Sequence, residues 1–491
     1  MVWLFLFCLG LTLYFIVQYS VVRVTRTPWW QLWLALMIPA FTIAAWSLVH
    51  PLKEAMPTPL LVGAFIVSIL LYVFLLGRNP RIPPTPEAPL LNPEEGDSKP
   101  EAPSNLLSKE EQAQLQNCFP WSVYYLQNID YRPQAVICRG QIRAEAEVAY
   151  QTVRNNVQSE FGDRFLILFQ TGAMNQPYFA LVANPYAEPQ GKRLQTTLKR
   201  PVLALGLVAL TLLTTTLAGT TLIDPAAKLD TWAANPQMLL NGLPYAIALV
   251  LILGVHEFGH YFTAQFYKLQ TTFPYFIPVP FAFGTFGAYV QIRTPIPNRK
   301  VLFDVGIAGP LAGLVATLPI LIWGLMHSQL TELPTKPGEI VTNAFNPKFS
   351  IAFASFCRLV FGHSLSASSG IDLHPVAVAG LLGLIVTALN LIPFGSFDGG
   401  QIVHAIYGQR MGALIGQISR ILVLLISLVQ PMLLLWGIFL LFMPATHEPT
   451  LNDVSELDNY RDGLGLFALV LLLFIILPVP TGLEFLFFTT H

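Results

Sequence analysis

The sequence predicts a polytopic α-helical membrane protein of about nine spans, eight to ten being allowed, with a small α+β cytoplasmic domain inserted before the last six. Three observations predict this class. Of 491 residues, 54% are hydrophobic and only 11% charged, where soluble domains carry about 25% charged residues. Apolar runs of about 18 residues or more, enough to cross a bilayer, recur along the chain. Between the third and fourth runs lies one sizeable polar stretch with a globular pattern.

The runs fall near 1–19, 31–49, 59–77, 201–222, 237–267, 301–326, 375–395, 421–443 and 464–482. Mean hydropathy is +0.56. The first run lacks a basic flank and a small-residue cleavage site, so it reads as a span and not as a cleaved signal. The stretch 411–443 is ambiguous, because Arg420 and Pro431 either divide it or mark the edge and kink of one span. With nine spans, Arg23, Arg26, Arg78, Arg81, Lys192, Arg193, Lys199, Arg200, Lys268, Arg293, Arg299 and Lys300 share one side. That side is predicted cytoplasmic, with the N-terminus outside.

The predicted organisation is three N-terminal helices (1–78), a Pro-rich acidic linker (79–108), a soluble α+β domain (109–198) and a membrane core (199–491). Residues 79–104 hold eight prolines, which gives an extended linker long enough to let the domain move over the membrane surface. Within the domain, Ala135–Cys138, Phe165–Phe169 and Tyr178–Val182 read as strands and Ala144–Glu160 as a helix. Segment 79–198 has no histidine, so it is expected to select substrates or regulate, without supplying catalytic groups. Cys118 and Cys138 read as core residues, in a compartment that keeps thiols reduced. No CxxC pair exists among the four cysteines, which argues against a thiolate metal site and a disulfide framework. Lys and Arg number 27 against 28 Asp and Glu, which leaves no basic excess for nucleic acid. The partner expected from composition is the lipid bilayer.

Chemistry concentrates in Leu253-Gly254-Val255-His256-Glu257-Phe258-Gly259-His260. Residues four apart on a helix share a face, so the two imidazoles can converge on one ion with the glutamate beside it. Each ionisable group at bilayer depth costs about 2.5–3.5 kcal/mol on insertion scales, and a metal compensates three in one turn. Catalytic zinc needs a third protein ligand and an open position. Asp304, Asp398 and His404 are the candidates. Asp304 is accounted for by helix N-terminal capping or dipole stabilisation, and His404 by a supporting or surface role. Asp398 lies in Asn390-Leu391-Ile392-Pro393-Phe394-Gly395-Ser396-Phe397-Asp398-Gly399-Gly400, an apolar helix broken by Pro and Gly. Irregular backbone at membrane depth is tolerated where it is buried in protein or lines a wet cavity, which favours Asp398.

HEFGH followed far downstream by NLIPFGSFDGG resembles the site-2 protease family of intramembrane zinc metalloproteases, over roughly 200–480. The resemblance implies one zinc per chain held by His256, His260 and Asp398, with Glu257 as general base and Asn390 polarising the substrate carbonyl. It also implies transmembrane protein substrates, cut within or beside their spans. Gly140-Gln141-Ile142-Arg143, Phe283–Ala288 and Asp304–Gly313 are similar to stretches of the plant and cyanobacterial branch called ethylene-dependent gravitropism-deficient and yellow-green. That likeness implies a plasma or thylakoid membrane of cyanobacterial type. The branch has Asn where this chain has Gln141.

Residues 273–290 carry Pro274, Pro278, Pro280, Gly284 and Gly287 among aromatics, which precludes a straight helix. A re-entrant or hairpin segment lining the entrance to the site is expected, as in the family, able to hold an unwound substrate as an added strand. Gly309 and Gly313 form a GxxxG pair, expected to bring helices close. With His256 about twelve residues, or about 18 Å, from the cytoplasmic end of its helix, the site is expected to open to that side. Two rivals are weighed. A transporter would show internal repeats, and none relates 1–245 to 246–491. A catalytically silent family member would lack part of HExxH, which is complete here.

Overall fold

The computed structural model describes residues 27–49, 106–132, 134–172, 176–184, 201–223, 235–279, 283–332, 344–395, 397–429 and 449–489, with isolated positions at 10, 60–75 and 440. Two compact units divide the chain, Met1–Pro100 and Glu101–His491. In the first, α1 (Trp29–Val49) is an almost wholly apolar helix. Ser68 Oγ donates to the Ala35 carbonyl at 2.8 Å and Thr27 Oγ1 to that of Leu75 at 2.7 Å. Buried hydroxyls are thus satisfied. The spans expected at 1–19 and 59–77 lie largely outside the described residues.

The second unit opens with the soluble domain. Helix α2 (Lys109–Asn117) is polar apart from Ala113 and the buried Leu115, and starts on a capping box, Ser108 with Glu111. Strands β1 (Tyr124–Arg132) and β2 (Ala135–Ile142), helix α3 (Ala146–Phe161), and strands β3 (Phe165–Thr171) and β4 (Pro177–Ala183) follow. The sheet is antiparallel throughout, in the order β1-β2-β4-β3. Helix α3 buries Ala149, Tyr150, Val153 and Val157, a stripe at helical spacing. Phe169 stacks on Phe179 at 4.1 Å, and Tyr124 meets Phe179 edge-on at 4.9 Å. Cys118 and Cys138 belong to this core. Burial pushes the Cys138 thiol up to about 12 and that of Cys118 to about 11.

The sequence reading missed α2 and β1. Strand β1 carries Gln127, Asn128 and Asp130 because it is an edge strand, and its register slips between Leu126 and Asn128. That irregularity accounts for Gly140. A Cβ there would lie 2.2 Å from the Tyr125 carbonyl oxygen. Arg143, at the end of the same motif, stacks on Trp121 at 4.1 Å.

In the core, α4 (Pro201–Ile223), α5 (Leu239–Phe266) and α6 (Arg299–Met326) are long apolar helices. Within the threonine run of α4, Thr215 and Thr216 donate to the carbonyls of Thr211 and Leu212, whereas the buried Thr211 hydroxyl has no partner among the described residues. Strands β5 (Tyr275–Pro278) and β6 (Thr285–Tyr289) form the expected hairpin between α5 and α6. Its tip is fixed by Thr214 Oγ1 and Tyr245 Oη, which donate to the carbonyls of Gly284 (2.7 Å) and Phe283 (3.0 Å). Strands β7 (Gln329–Glu332), β8 (Ala344–Phe345) and β9 (Ser369–Asp372) make a small sheet, with α7 (Ile351–Phe361) between the last two. Helix α8 (Pro375–Leu391) leads by the broken turn into α9 (Asp398–Val429), and α10 (Asn459–Ile476) and α11 (Glu484–Phe487) complete the chain.

Among the described residues, five helices are long and apolar enough to cross a membrane: α1, α4, α5, α6 and α10. They coincide with five of the nine expected runs. The run expected at 375–395 is a helix of only 17 residues, because the chain turns at Ile392 ahead of Pro393. At 421–443, α9 continues to Val429 and the rest, apart from Leu440, lies outside the described residues.

The α+β domain contacts the core through residues 451–453; the linker at 79–108 lies largely outside the described residues. Phe169, on edge strand β3, donates its amide to the Leu451 carbonyl at 2.7 Å and accepts from the Asp453 amide at 2.9 Å. Leu451 and Val454 pack on the domain's apolar cluster.

Gly140→Ala should destabilise the domain by about 1–3 kcal/mol through overpacking against β1. Limited proteolysis of the full-length protein should then cut within 106–184 faster than in wild type; unchanged protection would refute the close approach.

Candidate metal centre

Helix α5 places His256 and His260 one turn apart, with Glu257 next to the first. Asp398 comes from the start of α9, after the chain has turned through Pro393, Phe394 and Gly395. The three form a cluster able to hold a metal ion, and no other group of three such side chains occurs among the described residues. His256 Nε2 and His260 Nε2 lie 3.3 Å apart, and Asp398 Oδ2 is 3.4 Å and 3.3 Å from them. A tetrahedron of ligands at zinc's bond lengths has an edge of about 3.3–3.4 Å. The donor set and its spacing therefore fit a four-coordinate zinc ion with one position open. Neither Asp304 nor His404 joins the cluster.

The ring orientation is set from α6. His260 Nδ1 lies 2.8 Å from the Val305 carbonyl, which can only accept. Nδ1 therefore carries the proton, and Nε2 keeps its lone pair for an ion. Asn390, near the end of α8, brings Nδ2 to 3.2 Å from His256 Nε2. Glu257 is buried and interacts with the Val290 amide just past β6, so the hairpin reaches the site.

Space for the imidazoles comes from Gly309 and Gly313 on α6. A Cβ at Gly309 would lie 2.1 Å from His260 Nε2, and one at Gly313 would lie 3.0 Å from His256 Cβ and Nδ1. The GxxxG pair does bring two helices close, as its spacing implied, but it does so under His256 and His260. The matching intervals, four residues in each motif, were the available signal.

The two rejected candidates have other work. Asp304 accepts from Arg461 Nε (2.8 Å) and Nη2 (2.6 Å) and from Tyr267 Oη (2.5 Å). It does not cap α6, since Asn298 does so by accepting from the Val301 amide at 3.0 Å. The Asp304 pair instead ties α10 and the end of α5 to the turn that presents Val305. His404 is buried and not at the surface, with Nε2 2.7 Å from Asp453 Oδ1.

Gly309→Ala should cost the purified protein most of its zinc, because the new methyl occupies the position of a ligand atom. Gly313→Ala should retain more. Asp398→Ala should also lose most zinc and Asp304→Ala keep it, from about one per chain in wild type. Metal analysis of the four proteins decides. Full zinc in Gly309→Ala would contradict the cradle.

Residues 244–434 match the model of peptidase family M50. The chain is 27% identical over 367 residues to the probable zinc metalloprotease EGY2, chloroplastic, of Arabidopsis thaliana, covering 74% of this chain and 63% of that one. It is 32% identical over 238 residues to the probable zinc metalloprotease EGY1, chloroplastic, of the same plant, covering 48% and 43%. To EGY1 of Oryza sativa subsp. japonica it is 27% identical over 372 residues, covering 70% and 63%. The chain thus spans under two thirds of the length of these relatives. No solved structure matches it. The matched segment holds every residue of the cluster, and over it the chain is similar to peptidase family M50, the site-2 proteases, and to these plant relatives.

Proposed function

We propose that this chain is an intramembrane zinc metalloprotease that hydrolyses peptide bonds within or beside the transmembrane segments of other membrane proteins. The observation that carries this reading is the trio of ligand atoms spaced 3.3–3.4 Å apart, with a buried glutamate adjacent in sequence to one ligand. His256, His260 and Asp398 would hold the zinc. When bound, zinc lowers the pKa of its water toward about 7 and polarises the scissile carbonyl.

Glu257 takes the proton from the attacking water and passes it to the leaving amine as the C–N bond breaks. Asn390, whose amide nitrogen already reaches His256 Nε2, donates to the carbonyl oxygen as charge develops there. A substrate helix must unwind first, since its carbonyls are otherwise engaged. The β5–β6 hairpin, anchored on α4 and α5 and reaching Glu257, offers a strand edge to the unwound segment.

Helix α5 ends at Phe266, ten residues past His256. The site thus lies about 15 Å from that helix end, somewhat nearer than the sequence alone implied. With nine spans, the Lys and Arg distribution puts that end, the entrance and the soluble domain on the cytoplasmic side. The setting we favour is the plasma or thylakoid membrane of a cyanobacterial-type cell; the relatives are named as chloroplastic.

Glu257→Gln separates the two roles of the site. The variant should keep its zinc and lose about 10²–10⁴ in cleavage rate on a reconstituted single-span substrate. Cleavage at the wild-type rate would rule out Glu257 as the base.

A further inference from the structure

Residues 449–455 return to the core after α9 and form a strap between three surfaces. On one side Leu451 and Asp453 pair with Phe169 of β3. Gln170 Nε2 donates to the Thr450 carbonyl at 2.7 Å, and Glu147 of α3 accepts from Asn452 Nδ2 at 2.9 Å and Ser455 Oγ at 3.0 Å. On the other side the amides of Leu451 and Asn452 donate to the carbonyls of Ile296 and Pro297, both at 2.9 Å, immediately before the cap of α6. The third surface is α9. Asp453 is buried, and its carboxylate receives His404 Nε2 at 2.7 Å, Thr450 Oγ1 at 3.1 Å and the Gln409 amide at 3.3 Å.

Asp453 meets α9 where that helix is broken. Gly408 has φ 80 and ψ 167, outside helical space. The break frees backbone groups on both sides. Arg299 Nε and Nη2 donate to the carbonyls of Ala405 (2.6 Å) and Ile406 (2.5 Å), while the Gln409 amide goes to Asp453. The first segment of α9 is therefore clamped at its far end by Arg299 and by the His404–Asp453 pair. Its near end is Asp398, six residues or about 9 Å from His404.

We propose that Asp453 is a positioning residue for the metal centre, and that the strap carrying it couples the soluble domain to the helix segment that presents Asp398. The proposal rests on the metal-site reading above. A domain held by Glu147, Gln170 and Phe169 fixes the strap, the strap fixes His404, and the segment 398–407 keeps its carboxylate in register with α5.

Hydrogen exchange and zinc affinity, measured on the full-length protein in detergent, test this. Asp453→Ala should speed exchange of amides 399–407 at least about tenfold. It should also weaken zinc binding about 10- to 100-fold, the usual effect of losing support behind a ligand. Asp453→Asn, which keeps an acceptor for His404, should restore much of both. Glu147→Ala, made wholly within the domain, should move the same amides in the same direction. It decides the matter should Asp453→Ala fail to insert. Faster exchange confined to β3 and 449–455, with 399–407 and zinc affinity as in wild type, would overturn the coupling. A wild-type protein that binds no zinc would sink the metal reading instead, and exchange at 399–407 would still judge the strap.

Discussion

Two imidazoles and two carboxylates sit among apolar helices, His256, Glu257 and Asp398 buried and His260 partly so, and the rest of the core answers to that placement. Each such group is expensive at bilayer depth, so the arrangement is stable only if their charges and lone pairs converge on something that needs them. Convergence demands backbones that approach closely and side chains that cannot rotate away. Gly309 and Gly313 provide the approach of α6 to α5, the Val305 carbonyl fixes His260, and the turn through Pro393 and Gly395 swings Asp398 in from α9. The Arg461–Asp304–Tyr267 cluster then ties down the α6 turn that carries Val305.

The soluble domain belongs to the same mechanical system. Its sheet ends at β3, an edge that would otherwise leave backbone groups open, and the 450–453 segment closes that edge. The same residues touch the approach to α6 and the break in α9. The two helices carrying the machinery opposite α5 are thus both reached from the domain. For the proposed activity, which needs water and an unwound substrate at a site whose ligands stay in register, such support is an advantage.

Much of this was legible in the sequence. The i, i+4 histidines, the long apolar runs and the broken NLIPFGSFDGG helix each follow from one-dimensional spacing, and their meeting point follows from the chemistry of the residues. The proline- and glycine-rich stretch at 273–290 correctly excluded a helix and formed a hairpin. What escaped depends on contacts between distant segments. Strand β1 looks too polar to be a strand until it is seen as an edge, and α2 has no apolar stripe to betray it. His404 read as either a supporting or a surface histidine, undecided because Asp453, its partner, is 49 residues away. Asp304 read as a helix-terminal carboxylate because Arg461 lies 157 residues on. The contact of the α+β domain with residues 449–455 was hidden for the same reason: a proline-rich segment is visible in composition, whereas a strap supplied from the far end of the chain is not.

The central claim is a zinc ion held by two imidazole nitrogens and one carboxylate oxygen, with a fourth position left to water. X-ray absorption at the zinc edge of the purified full-length protein tests it most directly. The account predicts four nitrogen or oxygen neighbours at about 2.0–2.1 Å, with the outer-shell signature of two imidazole rings. A sulfur neighbour at about 2.3 Å, six-fold coordination, or a single imidazole would contradict it.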